Sequence, residues 1–261
     1  MSQNILANKI KILLNIFFIT GIGIGLFTRC SDDENTGISV PDARPIKPND
    51  FLSENTYNKL VIEMTYVQGY EPTAAAVNGL KTFLESLLNK SGGITITTSS
   101  IVSPGNTTYS LSDIKKIEKI YRTRFPENKT LAAWFFFADS DYADNEEDSK
   151  VLGIAYGPTS MAIFRKTINE FSGSFGQPST HVLEETVIEH EFGHILGLVD
   201  NGTGMVEDHL DTGHGHHCNN EDCLMYYTVE HSRGIIGFLS GGNIPALDSQ
   251  CKQDLKNNGG K

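Results

Sequence analysis

Residues 130–138, TLAAWFFFA, limit the fold more than any other stretch of the chain. Alternate positions are apolar on both sides, so neither face can meet water, and the run is too short for most helices. A strand in the middle of a sheet covered on both faces fits it. Around that strand the pattern alternates. Residues 60–66 read as a strand, and residues 73–88 as a helix with Ala76, Val77, Leu80, Phe83, Leu84 and Leu87 at helical spacing. Residues 93–101 read as a strand, and residues 112–123 as a helix capped by Ser112, with Ile114, Ile117, Ile120 and Tyr121 on one face. An acidic loop is expected at 139–148, then short strands at 151–157 and 160–164 split by Pro158. Strands alternating with helices indicate an α/β or α+β sheet domain.

The start of the chain is different. Lys9 and Lys11 precede an apolar run over residues 12–27 that closes on Thr28, Arg29 and Cys30. Its basic start, and a length short of the ~20 residues of a comfortable membrane span, suit an export signal. With the acidic residues after Cys30 it resembles a bacterial lipoprotein signal. Residues 1–29 are thus expected to be a signal peptide and Cys30 the lipidated first residue. An uncleaved anchor or plain secretion is the alternative, because Arg29 stands where that pattern has a small residue. Residues 30–50, with Pro41, Pro45 and Pro48 among polar and acidic neighbours, read as a tether, and the folded domain is expected over residues 51–261. The formal charge of −11 becomes −14 without residues 1–29, which hold Lys9, Lys11 and Arg29 and no acid. Such a surface repels phosphate backbones and argues against nucleic acid as a partner.

Residues 187–200 read VIEHEFGHILGLVD. His190 and His194 are four apart, so on a helix they stand a turn apart on one face and can reach one zinc ion. Glu191, beside the first histidine, puts a carboxylate where it can take up and return a proton. Pro178, Ser179 and Thr180 offer a helix start, Glu184 and Glu185 suit its early turns, and Gly197 offers a stop. Two surface histidines on an ordinary helix are the plain alternative.

Downstream, residues 223–226 read CLMY. A histidine helix broken at glycine and followed by such a methionine resembles the metzincins. The run from His217 and Cys218 through Cys223 to Met225 is similar to that of archaemetzincins and matrixins, and with the leader the chain looks like a membrane lipoprotein metalloprotease of Bacteroidota. The resemblance implies an α+β, zincin-like fold: a mixed sheet packed with helices, an active-site helix, and a C-terminal subdomain behind a methionine turn at Met225. It implies a zinc-dependent endopeptidase with Glu191 as general base and His190 and His194 as zinc ligands. The family's third ligand falls at Asp200. His217 keeps the family's distance to the methionine if residues 200–216 are an insertion, so His217 is favoured and Asp200 is the alternative. His209, His214 and His216 read as a solvated loop and Tyr227 as a core side chain. Cys218, Cys223 and Cys251, with Asp254 near, are expected to form a second zinc site or a disulfide with one free thiol. The implied partners are a protein or peptide substrate, held as an added strand along residues 151–157, and the bacterial outer membrane or cell surface, reached through Cys30. The competing class is a non-catalytic surface-binding lipoprotein with a structural zinc; such a site has no need of Glu191.

Overall fold

The computed structural model describes residues 44–261; the expected signal peptide, Cys30 and most of the expected tether lie outside the described residues. In chain order the elements are α1 (Pro48–Leu52), β1 (Lys59–Val67), α2 (Ala74–Leu87), β2 (Ile94–Ile101), β3 (Thr108–Tyr109), α3 (Leu111–Tyr121), β4 (Thr130–Phe137), β5 (Asp141–Tyr142), β6 (Gly153–Gly157), β7 (Ser160–Ile163), α4 (Arg165–Glu170), α5 (Thr180–Ile195), a 3-10 turn (Tyr227–Glu230), α6 (Ser232–Phe238) and α7 (Ser249–Asn257). The main sheet has the order β2-β1-β4-β7-β6, with β2, β1, β4 and β7 parallel and β6 antiparallel to β7 at the edge. β3 and β5 pair separately.

β4 takes the central, doubly covered place its sequence demands. Leu131, Ala133, Phe135 and Phe137 point into a core shared with α2 and α5, while Trp134 and Phe136 point to the other face, against Ile114 and Ile117 of α3. Parallel neighbours require crossovers: α2 lies between β1 and β2 and α3 between β2 and β4, while the chain passes from β4 to β7 through β5 and β6. The result is a mixed α/β sheet, more interleaved than the α+β arrangement expected. Helix α3 is capped by Ser110, whose hydroxyl accepts from the Asp113 amide, rather than by Ser112. It ends at Tyr121, so Ile120 and Tyr121, expected on its buried face, are exposed.

The folded unit starts upstream of Phe51. The Arg44 guanidinium grips the Asp50 carboxylate at 2.7 and 2.8 Å, which holds Asp50 below its usual range although burial alone would raise it. Lys90, buried beneath, donates to the carbonyls of Asp50 (2.7 Å), Ser53 and Tyr57 (2.6 Å). Arg44 to Asp50 therefore belong to the domain and not to a tether.

Helix α5 crosses beneath the sheet and is buried almost all round. Phe192 meets Phe51 and Phe135 edge to face at 5.6 and 5.7 Å, contacts worth about 0.5–1.5 kcal/mol each beyond their burial. The fixed side of α5 thus sets where its opposite side, carrying His190, Glu191 and His194, can point.

Candidate metal centres

His190 and His194 stand one turn apart on α5, and their Nε2 atoms lie 3.1 Å from each other. The loop after the helix brings in His217, whose ring stacks on His190 at 5.3 Å between centroids. Asp200, the alternative third ligand, is exposed at φ 59° and is not among the converging donors. Two of the histidines are oriented by the backbone. His190 Nδ1–H donates to the Leu224 carbonyl (2.8 Å), and His217 Nδ1–H to those of Gly215 (2.7 Å) and His214 (3.0 Å). Each then turns an Nε2 lone pair inward.

A carboxylate that sequence reasoning missed completes the group. Glu230 Oε1 lies 3.2 Å from His194 Nε2, 3.2 Å from His217 Nε2 and 3.9 Å from His190 Nε2. Burial alone would raise its pKa, but the three imidazoles gathered around it hold it well below the usual carboxylate range. Burial pushes His194 down to about 4, while His217, which burial would also lower, is raised by Glu230. Buried lone pairs and a carboxylate aimed at one point repel each other unless a cation joins them. His217 Nε2 finds no hydrogen-bond partner of ordinary geometry. The donor set fits zinc.

Glu191 is fully buried beside this group. Among the described residues neither of its oxygens has a hydrogen-bond partner of ordinary geometry, though the Ala155 amide favours its charge. Burial first, and the Glu230 charge second, push its pKa well up. A cleft of about 430 Å³ opens in front, between Gly153, Ile154 and Ala155 of β6 and the loop of His214, Gly215, His216 and His217. Among the described residues β6 pairs with β7 on one side only; just upstream, Val151 bridges to His231 and the Leu152 amide donates to the Glu230 carbonyl at 2.8 Å.

Met225 lies under the helix. A Cβ on Gly193 would stand 2.3 Å from Met225 Sδ, so only glycine permits that approach. Gly197, at φ 75°, turns the chain out of α5, and a Cβ there would meet Pro48 and the Thr203 amide. Tyr227 is half-buried and stacks on His214 rather than in the core.

A second cluster begins one residue after His217. His209, expected in a solvated loop, is fully buried; the bridge between Leu210 and Cys218 brings it inward. Its Nε2–H donates to Asp254 (2.8 Å), which turns Nδ1 toward Cys218 Sγ at 3.3 Å and Cys251 Sγ at 3.9 Å. Cys223 Sγ lies 3.7 Å from Cys251 Sγ and accepts the amides of Met225 and Asp248, both at 3.4 Å. Sulfhydryl bonds from Cys218 and Cys251, with those amides, push the Cys223 thiol down to about 3, whereas its bond to Cys223 pushes Cys218 up to about 12. Asp254 thus sits behind His209 and not among the sulfurs. Asp248 touches Cys218, but its carboxylate is already occupied by the Cys251 amide (2.8 Å) and Asn220 (3.1 Å). Among the described residues the three cysteines are free, and the atoms that converge are those of His209, Cys218, Asp248 and Cys251; with Cys223 3.7 Å from Cys251 in the place of the occupied Asp248, His209 and three sulfurs would make a donor set that suits structural zinc.

No family model matches the sequence, and no curated protein matches it. The fold is similar to the crystal structure of archaemetzincin from Methanopyrus kandleri, with a TM-score of 0.51 over 77% of this chain and 96% of that chain at 13% sequence identity. The likeness is one of fold alone: a mainly parallel sheet packed with helices.

Proposed function

We propose that the chain is a zinc-dependent endopeptidase, and the observation that carries this reading is Glu191: a fully buried, unpartnered carboxylate facing a cleft, one residue from a converging histidine. The archaemetzincin-like fold supports it. His190, His194 and His217 would hold the zinc, which when bound supplies Lewis acidity to polarise a peptide carbonyl and acidify water. The rest falls to the chain. The unpaired edge of β6 offers backbone N–H and C=O groups in register, so a peptide can lie in the cleft as an added strand whatever its side chains. Glu191 takes a proton from the attacking water and hands it to the departing amine. Burial suits it to the first half of that exchange, because a carboxylate with a raised pKa is a stronger base toward the water than a solvated one. The Met225 contact at Gly193 and the Leu224 carbonyl on His190 hold the floor of the site rigid.

A second zinc at His209, Cys218, Cys223 and Cys251 would be structural, since all four side chains are fully buried and none faces the cleft. From the leader sequence we place the domain outside the cell, on a lipid anchor at Cys30.

Cleavage of unfolded casein by the purified protein, with and without a chelator, tests this. Chelator-sensitive cleavage is expected, and Glu191→Ala is expected to keep the metal while losing about 10²–10⁴-fold in rate. Bound zinc without cleavage by the wild type, over a panel of unfolded substrates, favours the non-catalytic binding protein instead.

A further inference from the structure

We infer that Glu230 is a fourth protein ligand of the histidine centre, closing it at rest and giving way when a peptide enters along β6. The inference rests on the zinc reading above and adds to it a state in which the site is shut by its own chain.

The distances define the role. Around a tetrahedral zinc whose nitrogen and oxygen donors sit ~2.0–2.2 Å away, neighbouring donors lie ~3.3–3.6 Å from one another. The two helix histidines are 3.1 Å apart at Nε2, and Glu230 Oε1 stands 3.2, 3.2 and 3.9 Å from the three nitrogens. Its oxygen lies close enough to all three nitrogens to take the fourth position around a metal they would hold, the position a hydrolytic site must leave for water or substrate. Four protein donors make a closed site and three make an open one, so this one side chain decides which kind the centre is.

Two features separate Glu230 from a permanent ligand. Its side chain is 28% exposed, on the cleft side, whereas His190 and His217 are 0% and 6% exposed. Its backbone is pinned, because the carbonyl accepts from Leu152 and the next residue, His231, bridges to Val151. Opening the site thus needs only rotation of a partly exposed side chain over a fixed backbone. The tie also sets when that happens. Val151 and Leu152 run directly into β6, so a peptide adding to the free edge of Gly153–Gly157 runs toward the Glu230 carboxylate. A scissile carbonyl laid there competes with Glu230 for the same vertex, and the exposed His231 ring, 3.8 Å from Glu230 Oε2, can receive the displaced carboxylate.

Replacing the zinc of the full chain by cobalt gives a readout separate from turnover, because the visible absorption of cobalt reports the number and kind of its donors. The wild type is expected to show a four-donor spectrum that acetohydroxamate alters only at high concentration. Glu230→Gln, which keeps the shape and removes the charge, and Glu230→Ala are both expected to shift the spectrum toward a water-containing site. Both are expected to bind acetohydroxamate about 10–100-fold more tightly while keeping the metal through the three histidines. Spectra and hydroxamate affinity that match the wild type in both variants overturn the inference and leave the zinc reading standing. A wild type that takes up no metal between the histidines overturns both.

Discussion

The histidine centre and the thiol centre are joined by one peptide bond, between His217 and Cys218, and are built in opposite ways. At the first, imidazoles turned by backbone carbonyls meet two carboxylates, one of them without any partner, at the wall of a cleft. At the second, three sulfurs and a buried imidazole are fully enclosed, with amides donated to Cys223 and a carboxylate behind His209. Buried polar atoms that are satisfied stabilise a fold; those left unsatisfied cost stability and mark places where a ligand is to be met. On the proposed reading the first centre carries the chemistry and the second the cohesion. The second also serves the first, since the Cys218 amide donates to the Met225 carbonyl at 2.8 Å and fixes both the third histidine and the floor under the helix.

Substitutions should separate the two roles. Cys223→Ser removes the sulfur that meets Cys251 and accepts the amides of Met225 and Asp248. It is expected to cost about 3 kcal/mol or more, a fall of ~10 °C in Tm by calorimetry, and to weaken zinc at both centres because the strand they share loosens. His217→Ala should lower zinc affinity at the first centre at least ~100-fold in chelator competition, as loss of a direct ligand exceeds the 10–100-fold typical of its supporting groups. Its Tm in the presence of chelator should stay near that of the wild type, and Asp200→Ala should change neither quantity. Gly193→Ala drives a methyl into Met225 and is expected to destabilise by about 1–3 kcal/mol in denaturant unfolding.

The smallest effect lies on the far side of α5. Burial first, and Glu185 second, push Glu189 up to about 8 from the ordinary 4.5. The native state then holds a proton that the unfolded chain releases, so the contribution of Glu189 to stability is most favourable below about pH 4.5 and is lost as pH rises toward 8. Glu189→Gln should raise Tm by a few degrees at pH 8 and leave it nearly unchanged at pH 5.

The local elements were legible because each has a short-range cause. An all-apolar run had to become the central strand, and helical spacing located α2 and α5 to within a residue or two. The i, i+4 histidines and the glutamate between them were readable for the same reason. His217 could be placed beside them only through its spacing to the cysteine pair and Met225. Glu230 and His209 were not legible. Glu230 reaches the histidines because residues 230 and 231 tie to residues 151 and 152, and His209 reaches the sulfurs through the bridge at Leu210. Both depend on pairings between distant segments, which leave no period in the sequence. Arg44 to Asp50 were misassigned for a similar reason: proline and charge suggest a tether, and only the contacts with Lys90 and Gly197 show a packed edge.

A metal ion between the three histidines is tested most directly by anomalous diffraction at the zinc edge from crystals of the protein. Two peaks per chain are expected, one between His190, His194 and His217 and one among His209, Cys218, Cys223 and Cys251. A peak at the thiols alone, with none at the histidines in protein supplied with zinc, would contradict the zinc reading.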